Sequence, residues 1–203
     1  CESIRVNMTS YCAKHKDGVI NKKAKYKMEV AVINWCEDNN VAYTAERRVD
    51  ADGTLIADGA PPEAYNQPNY RFDFYLLEYG IYIECDGIQH FRSIDRWGGN
   101  EGLIRRQYID DAKSRYAIKQ GCSIIRIHDK DKRNINTFLT NTVGYLGSNP
   151  GSPPMMYLSP SYESERWYAT IGREIECLIM RADGVIDDSY DNIDAMDEEE
   201  PDM

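Results

Sequence analysis

Residues Tyr70–His90 read YRFDFYLLEYGIYIECDGIQH, and the fold turns on this stretch. Two runs of aromatic and β-branched residues flank Glu78-Tyr79-Gly80, the pattern of an antiparallel hairpin. Side chains alternate between the two faces of a strand. Phe72, Phe74 and Leu76 should therefore fall with Ile81, Ile83 and Cys85 on one face, the core face. Arg71, Asp73 and Tyr75 should fall with Tyr82, Glu84 and Asp86 on the other. A turn centred on Glu78 and Tyr79 puts Asp73 directly across from Glu84. Cβ atoms opposed in this way lie roughly 4.5–5.5 Å apart, and like charges placed there repel. Either one carboxyl keeps its proton or a cation sits between them, and two or three oxygens around an open coordination shell is a usual setting for Mg²⁺. A plain solvent-facing pair is the alternative. Against it, Asp86, Gln89 and His90 follow from the same strand end.

The ordered set comprises Glu29 on a helix, then Asp73, then Glu84-x-Asp86-Gly87-x-x-His90. Asp110-x-x-Lys113 on a later helix and an apolar strand ending in Arg126-Ile127 complete it. It resembles the PD-(D/E)XK nuclease superfamily over roughly residues 22–130. Within that superfamily it is most similar to the branch of the very-short-patch mismatch-repair endonuclease and related phage and giant-virus homing-type endonucleases. The resemblance implies a metal-dependent endonuclease that hydrolyses phosphodiester bonds in DNA by nicking or double-strand cutting, encoded by a phage or virus and acting in the host cytoplasm. It implies Asp73, Glu84 and the backbone carbonyl of Cys85 as ligands for Mg²⁺ or Mn²⁺, with Glu29 orienting the attacking water. The superfamily's usual lysine, two residues after the second acid, is Asp86 here. The group that assists the water is therefore open. His90 leads as general acid or base because imidazole titrates near neutral pH; Asp86, Asp110 and Lys113 are the others. A catalytically silent nucleic-acid-binding module of the same fold and a structural viral protein are the competing expectations.

A chain of 203 residues suits one domain with a substantial core. No apolar run approaches the roughly 18 residues of a membrane span, so a soluble, intracellular protein without membrane contact is expected. The six cysteines are scattered without a Cys-x-x-Cys pair, which favours reduced thiols. The net charge of −10 would argue against a nucleic-acid partner if it were spread evenly, but ten acids and no Lys or Arg lie between Asp183 and Asp202. What remains is 24 acidic residues against 24 Lys and Arg.

In chain order, residues 1–21 read as an irregular arm and 22–146 as the endonuclease-like core. A helix to about Asp38 carries the stripe Met28, Ala31, Val32 and Trp35. Lys22, Lys23 and Lys25 at its start oppose the helix dipole, which phosphate contact would explain; an exposed solvated face is the alternative. A strand over 41–49 and a Gly/Pro/Asn-rich loop over 50–69 precede the hairpin. Beyond it, Arg92, Arg96 and Trp97, beside Gly98-Gly99, suit a sugar-phosphate backbone. A helix over 101–120 should bury Ile104, Tyr108, Ile109, Ala112 and Tyr116. A strand over 122–127 follows, in which Arg126 must be paired or sit at the strand's exit, as a phosphate or carboxylate partner. His128 reads as a surface residue and 135–146 as a helix. A linker over 147–160, an amphipathic helix over 161–181 and a disordered acidic tail over 182–203 close the chain. The succession helix, three strands, helix, strand, helix gives an α/β fold around a mixed sheet flanked by helices. The resemblance makes it a restriction-endonuclease-like αβββαβ core, as monomer or homodimer.

Overall fold

The computed structural model describes residues 27–49, 70–165, 177–181 and 184–186. The N-terminal arm, Lys22, Lys23, Lys25, the loop 50–69 and the acidic tail beyond 186 lie outside the described residues. The fold is α/β. Seven strands form one mixed sheet whose spatial order follows the chain: β1 (Tyr43–Val49), β2 (Tyr70–Leu76), β3 (Ile81–Asp86), β4 (Ser123–His128), β5 (Met156–Leu158), β6 (Cys177–Arg181) and β7 (Gly184–Ile186). Strands β1, β2 and β3 pair antiparallel, β3 to β6 parallel, and β7 antiparallel to β6. Parallel neighbours need a crossover. Helices α2 (Gly99–Lys119) and α3 (Ile135–Ser148) supply the first two, while α1 (Lys27–Asp38) precedes the sheet.

One face of the sheet packs on α1 and α3. Met28, Val32 and Trp35 meet Phe138, Leu139 and Val143 over Phe74, Leu76, Ile81, Ile83, Ile125 and Ile127. The Trp35 indole N–H donates to Thr140 Oγ1 at 3.0 Å, which gives the buried ring's one polar atom an acceptor. The other face packs on α2 and on the 3₁₀ turn Pro160–Ser164, with Phe72, Tyr82, Ile124, Leu158, Tyr116 and Tyr162 buried there. Strand β4 lies inside the sheet and is covered on both faces, so five of its six residues are buried.

The hairpin register is the one its turn dictates: Leu76 faces Ile81, Tyr75 faces Tyr82 and Phe74 faces Ile83. The regular ladder stops there. On the other side of β2, Ala45 pairs with Phe74 and Arg47 with Phe72, and the pair between them is interrupted at Glu46, whose φ of 51° is rare for a side-chain-bearing residue. Past this break Phe72 leaves the face of Phe74 and stacks on Tyr82, with ring centroids 4.0 Å apart. Strict alternation, which put Phe72 beside Phe74, fails at this residue, opposite the break in β1.

Other expectations are corrected as well. The segment read as a linker contains β5, three fully buried residues between β4 and β6. The C-terminal helix expected over 161–181 is not one continuous helix, since Pro160–Ser164 is a 3₁₀ turn and Cys177–Arg181 is a strand; residues 166–176 lie outside the described residues. His128 is buried, stacked on Phe91 at 3.9 Å. Helix α2 turns a largely polar face inward. Asp110, Lys113 and Ser114 are buried with Tyr116 and Ala117, whereas Ile104, Tyr108 and Ile109 are exposed, Tyr108 by 74%. The reason is the surface it covers: past Tyr82 and Ile124 the sheet presents Glu84, Asp86 and Arg126, and only polar partners can satisfy those.

If β5 and the turn after it belong to the domain, truncation after Ser148 should abolish cooperative unfolding, because it bares β4 and removes Tyr162 and Glu165 from the core. Circular-dichroism melts of the full and truncated chains check this; matching transitions would return residues 149–165 to the status of a linker.

Candidate functional site

Asp73 stands where the β2–β3 ladder opens. Its Oδ2 accepts the Cys85 backbone N–H at 2.8 Å, and its own N–H donates to Glu84 Oε1 at 3.3 Å. A strand residue's N–H and C=O point to the same neighbouring strand, so the carbonyl of Cys85 faces the same opening as Asp73. The Glu84 carboxylate is buried and is bonded through Oε2 to the ammonium of Lys113, which reaches down from α2. Glu29, in the first turn of α1, comes close enough to Asp73 for their charges to interact. Burial pushes Glu84 up to about 7, with Asp73 adding to the rise and Lys113 opposing it. Burial and then the charges of Asp73 and Glu46 push Glu29 up to about 7. Asp73 is raised by burial, against the pull of Lys113 and the Cys85 N–H. This is a cluster of carboxylates short of positive charge.

A second polar cluster begins two residues further along β3, about 7 Å away at the usual strand rise. Arg126 is 0% exposed. Its Nε and Nη2 grip Asp86 Oδ2 and Oδ1 at 2.8 and 2.7 Å, and Nη2 also reaches Asp110 Oδ1 at 3.1 Å. Nη1 donates to the Asp110 carbonyl and to Ser114 Oγ. The Tyr162 hydroxyl donates to Asp86 Oδ2. His90 Nδ1 lies 2.6 Å from Asp110 Oδ2. Burial alone would raise Asp110, but Arg126 and then the His90 bond hold it down at about 2. Burial would likewise lower His90, and the Asp86 charge with the Asp110 bond raises it instead.

A third group surrounds Glu165. Its buried carboxylate accepts from Arg92 Nη1 at 2.8 Å, Lys130 Nζ at 3.1 Å and His128 Nε2 at 3.2 Å, and these bonds keep it ionised against the cost of burial. On its other side, His128 Nδ1 lies 3.1 Å from the Lys130 backbone nitrogen and 3.0 Å from Asp129 Oδ1.

The structure thus brings Glu29, Asp73, Glu84, Cys85 and Lys113 together, with His90 and Asp110 as a neighbouring dyad. Two expected roles are corrected. Asp86 is 1% exposed, its two oxygens are engaged by Arg126 and Tyr162 and Oδ1 lies 3.5 Å from His90 Nδ1, so it serves as the partner of the buried guanidinium. Arg126 is enclosed, so it is a carboxylate partner and not a DNA contact. Arg92 spends its guanidinium on Glu165. Arg96 lies over the Trp97 ring at 4.4 Å, and both are exposed. The neighbouring glycines serve the backbone: Gly98 at φ 87° and Gly99 at φ 57° join the 3₁₀ turn Asp95–Trp97 to α2. Sequence reasoning missed Tyr162 and Glu165. The signal was Met155-Met156-Tyr157-Leu158, four apolar residues between Pro154 and Ser159, which is the mark of a short interior strand.

The donor set of the first cluster suits a hard divalent cation, with two carboxylates, one backbone carbonyl and a local excess of negative charge. One oxygen or nitrogen from each of Asp86, His90 and Asp110 also lies within 4.8 Å of the others. There, however, Arg126 already supplies the cation, with bonds to both acids. Comparison with protein-family models and with curated proteins found no match. Cys36, Cys85 and Cys122 are free thiols, and no helix of the described residues is long and apolar enough to cross a membrane.

Two outcomes are expected of metal-free protein. Glu29 and Glu84 hold protons more tightly folded, near 7, than unfolded, at about 4.5. The native state therefore binds more protons between these values, and stability falls as pH rises from about 4.5 through about 7. Melts in EDTA from pH 5 to 8 should show Tm dropping and Glu29→Gln flattening the drop; a rise over that range would refute the charge assignment. Separately, Glu84→Ala strands the buried Lys113 ammonium and should cost about 3–5 kcal/mol. Asp73→Ala removes an under-compensated carboxylate and should cost far less, as urea titrations would show.

Proposed function

We propose that this protein is a divalent-metal-dependent nuclease of the PD-(D/E)XK type that hydrolyses phosphodiester bonds in DNA. The observation that carries the reading is the opening of the hairpin at Asp73, where Asp73, Glu84 and the Cys85 carbonyl converge and Lys113 from α2 binds Glu84. Composition alone does not ask for this arrangement, since a sheet gains nothing from a buried carboxylate beside a half-buried one.

Asp73, Glu84 and the Cys85 carbonyl would hold Mg²⁺ or Mn²⁺, which lowers the pKa of a bound water and offsets charge developing on phosphorus-bound oxygens. The protein's own groups do the rest. Lys113 is the lysine expected two residues after the second acid, delivered from a helix instead of the strand. Its ammonium, fixed by Glu84, places positive charge beside the reacting phosphate and donates to the attacking oxygen or to a phosphoryl oxygen. Glu29, with its raised proton affinity, accepts a proton at neutral pH more readily than an ordinary glutamate. His90 is held at Nδ1 by ionised Asp110, which leaves Nε2 as the atom that exchanges a proton with the leaving group or water. The exposed Arg96 and Trp97, just before α2, would meet sugar-phosphate and base.

Purified protein should nick or cut DNA with Mg²⁺ or Mn²⁺ and stop in EDTA. Asp73→Ala and Glu84→Gln should abolish cutting and also the Mn²⁺ heat signal in calorimetry. His90→Ala should keep metal binding and lose about 10²–10⁴-fold in rate. Activity that survives Asp73→Ala would sink the reading. Metal binding without cutting of duplex, mismatched or single-stranded DNA would favour a silent nucleic-acid-binding module.

A further inference from the structure

We propose that Tyr162 and Arg126 are positioning residues for His90, acting through Asp86 and Asp110, so that the turn Pro160–Ser164 is a working part of the site. This rests on the reading of His90 as the group that moves a proton.

An imidazole anchored at one nitrogen is only as well placed as its anchor. Asp110 rides on α2, and three bonds from Arg126 tie that turn of the helix to β4: Nη2 to its carboxylate, Nη1 to its carbonyl and Nη1 to Ser114 Oγ one turn on. Arg126 is fixed in turn by its two-pronged bond to Asp86. The planar fork gives that pair one orientation, which a lysine's point charge would not. Tyr162 then bonds Asp86 Oδ2 from the far side. Its ring stands edge-on to Phe91 at 5.4 Å and to His128 at 5.5 Å, and its N–H donates to the Ser159 carbonyl. The Ser159 N–H donates to the Arg126 carbonyl at 3.1 Å, which locks the turn onto β4.

Every member of this series is buried except the last, His90, which keeps partial access to solvent. A buried polar network that ends in a single accessible imidazole is a supporting shell, and such shells fix ring orientation and tautomer. Stability does not account for it, because apolar residues of similar volume generally serve a core as well or better.

Tyr162→Phe removes one hydroxyl and leaves the ring packing intact, and Arg126→Lys keeps the charge but not the fork. The chain has three histidines, so the His90 ring ¹⁵N signals can be assigned by comparison with His90→Gln. In wild type these signals should report a proton held at Nδ1. In Tyr162→Phe they should shift toward a free imidazole that exchanges between tautomers, and further in Arg126→Lys. Cleavage should show kcat down about tenfold in Tyr162→Phe with KM unchanged. His90 signals in folded Tyr162→Phe that match wild type overturn the proposal, whatever becomes of Arg126→Lys. The spectra need no turnover, so a wild type that never cuts DNA refutes the nuclease reading and leaves this test standing.

Discussion

Arg126 carries a permanent charge into a fully enclosed site, and much of the surrounding architecture answers that fact. A buried ion costs several kcal/mol unless its bonds are made. Arg126 therefore requires Asp86 on the adjacent strand, the Asp110 carboxylate and carbonyl, and Ser114. These demands explain why α2 turns a polar stripe inward while Ile104 and Tyr108 stay in solvent. They also explain why the chain after α3 returns to the sheet, since Tyr162 completes the coordination of Asp86 and the Ser159 amide meets the Arg126 carbonyl. One guanidinium thus links β3, β4, α2 and the Pro160–Ser164 turn.

Much of this was legible in the chain, and the failures have physical causes. The hairpin register followed from turn position, because a ladder of period two admits one pairing for a given turn. The α1 stripe and the strand read over 122–127, observed one residue later at Ser123–His128, were legible for similar reasons, as periodicity reports burial wherever the covering surface is apolar. Helix α2 misled because its covering surface is polar, so its inward face was written in Asp, Lys and Ser and its outward face in Ile and Tyr. Strand β5 was hidden by its neighbours: three residues among prolines and glycines look like a connection unless the apolar run itself is weighed. Phe72 was misplaced because alternation assumes an unbroken ladder, and a positive φ at Glu46, on the neighbouring strand, has no sequence signature comparable to glycine.

The candidate metal ligands were singled out in the sequence by an electrostatic anomaly, two acids expected to face each other in a strand pair; the ladder ends at Phe74 and Ile83, and Asp73 and Glu84 meet just past that end. On the proposed reading, the superfamily's lysine was harder to find. Its place along β3 is occupied by Asp86, which serves Arg126, and the ammonium arrives from α2, 29 residues beyond Glu84. A reaction responds to where a charge lies, not to which element carries it, so on that reading a change of address would leave the chemistry equivalent. Spacing rules, which read along the backbone, are blind to such exchanges.

The strand order carries a consequence for the chain as it is made. Each strand lies beside its predecessor, so a polypeptide emerging from the ribosome can add strands one at a time to an existing edge, N-terminal portion first. Until residue 156 has emerged, β4 is that edge, strongly apolar and open to strangers. Over the same interval Asp86 waits for its phenol. Synthesis therefore imposes an order: Asp73, Glu84, His90 and Asp110 are translated first, and Tyr162, which completes the buried network beside them, comes after.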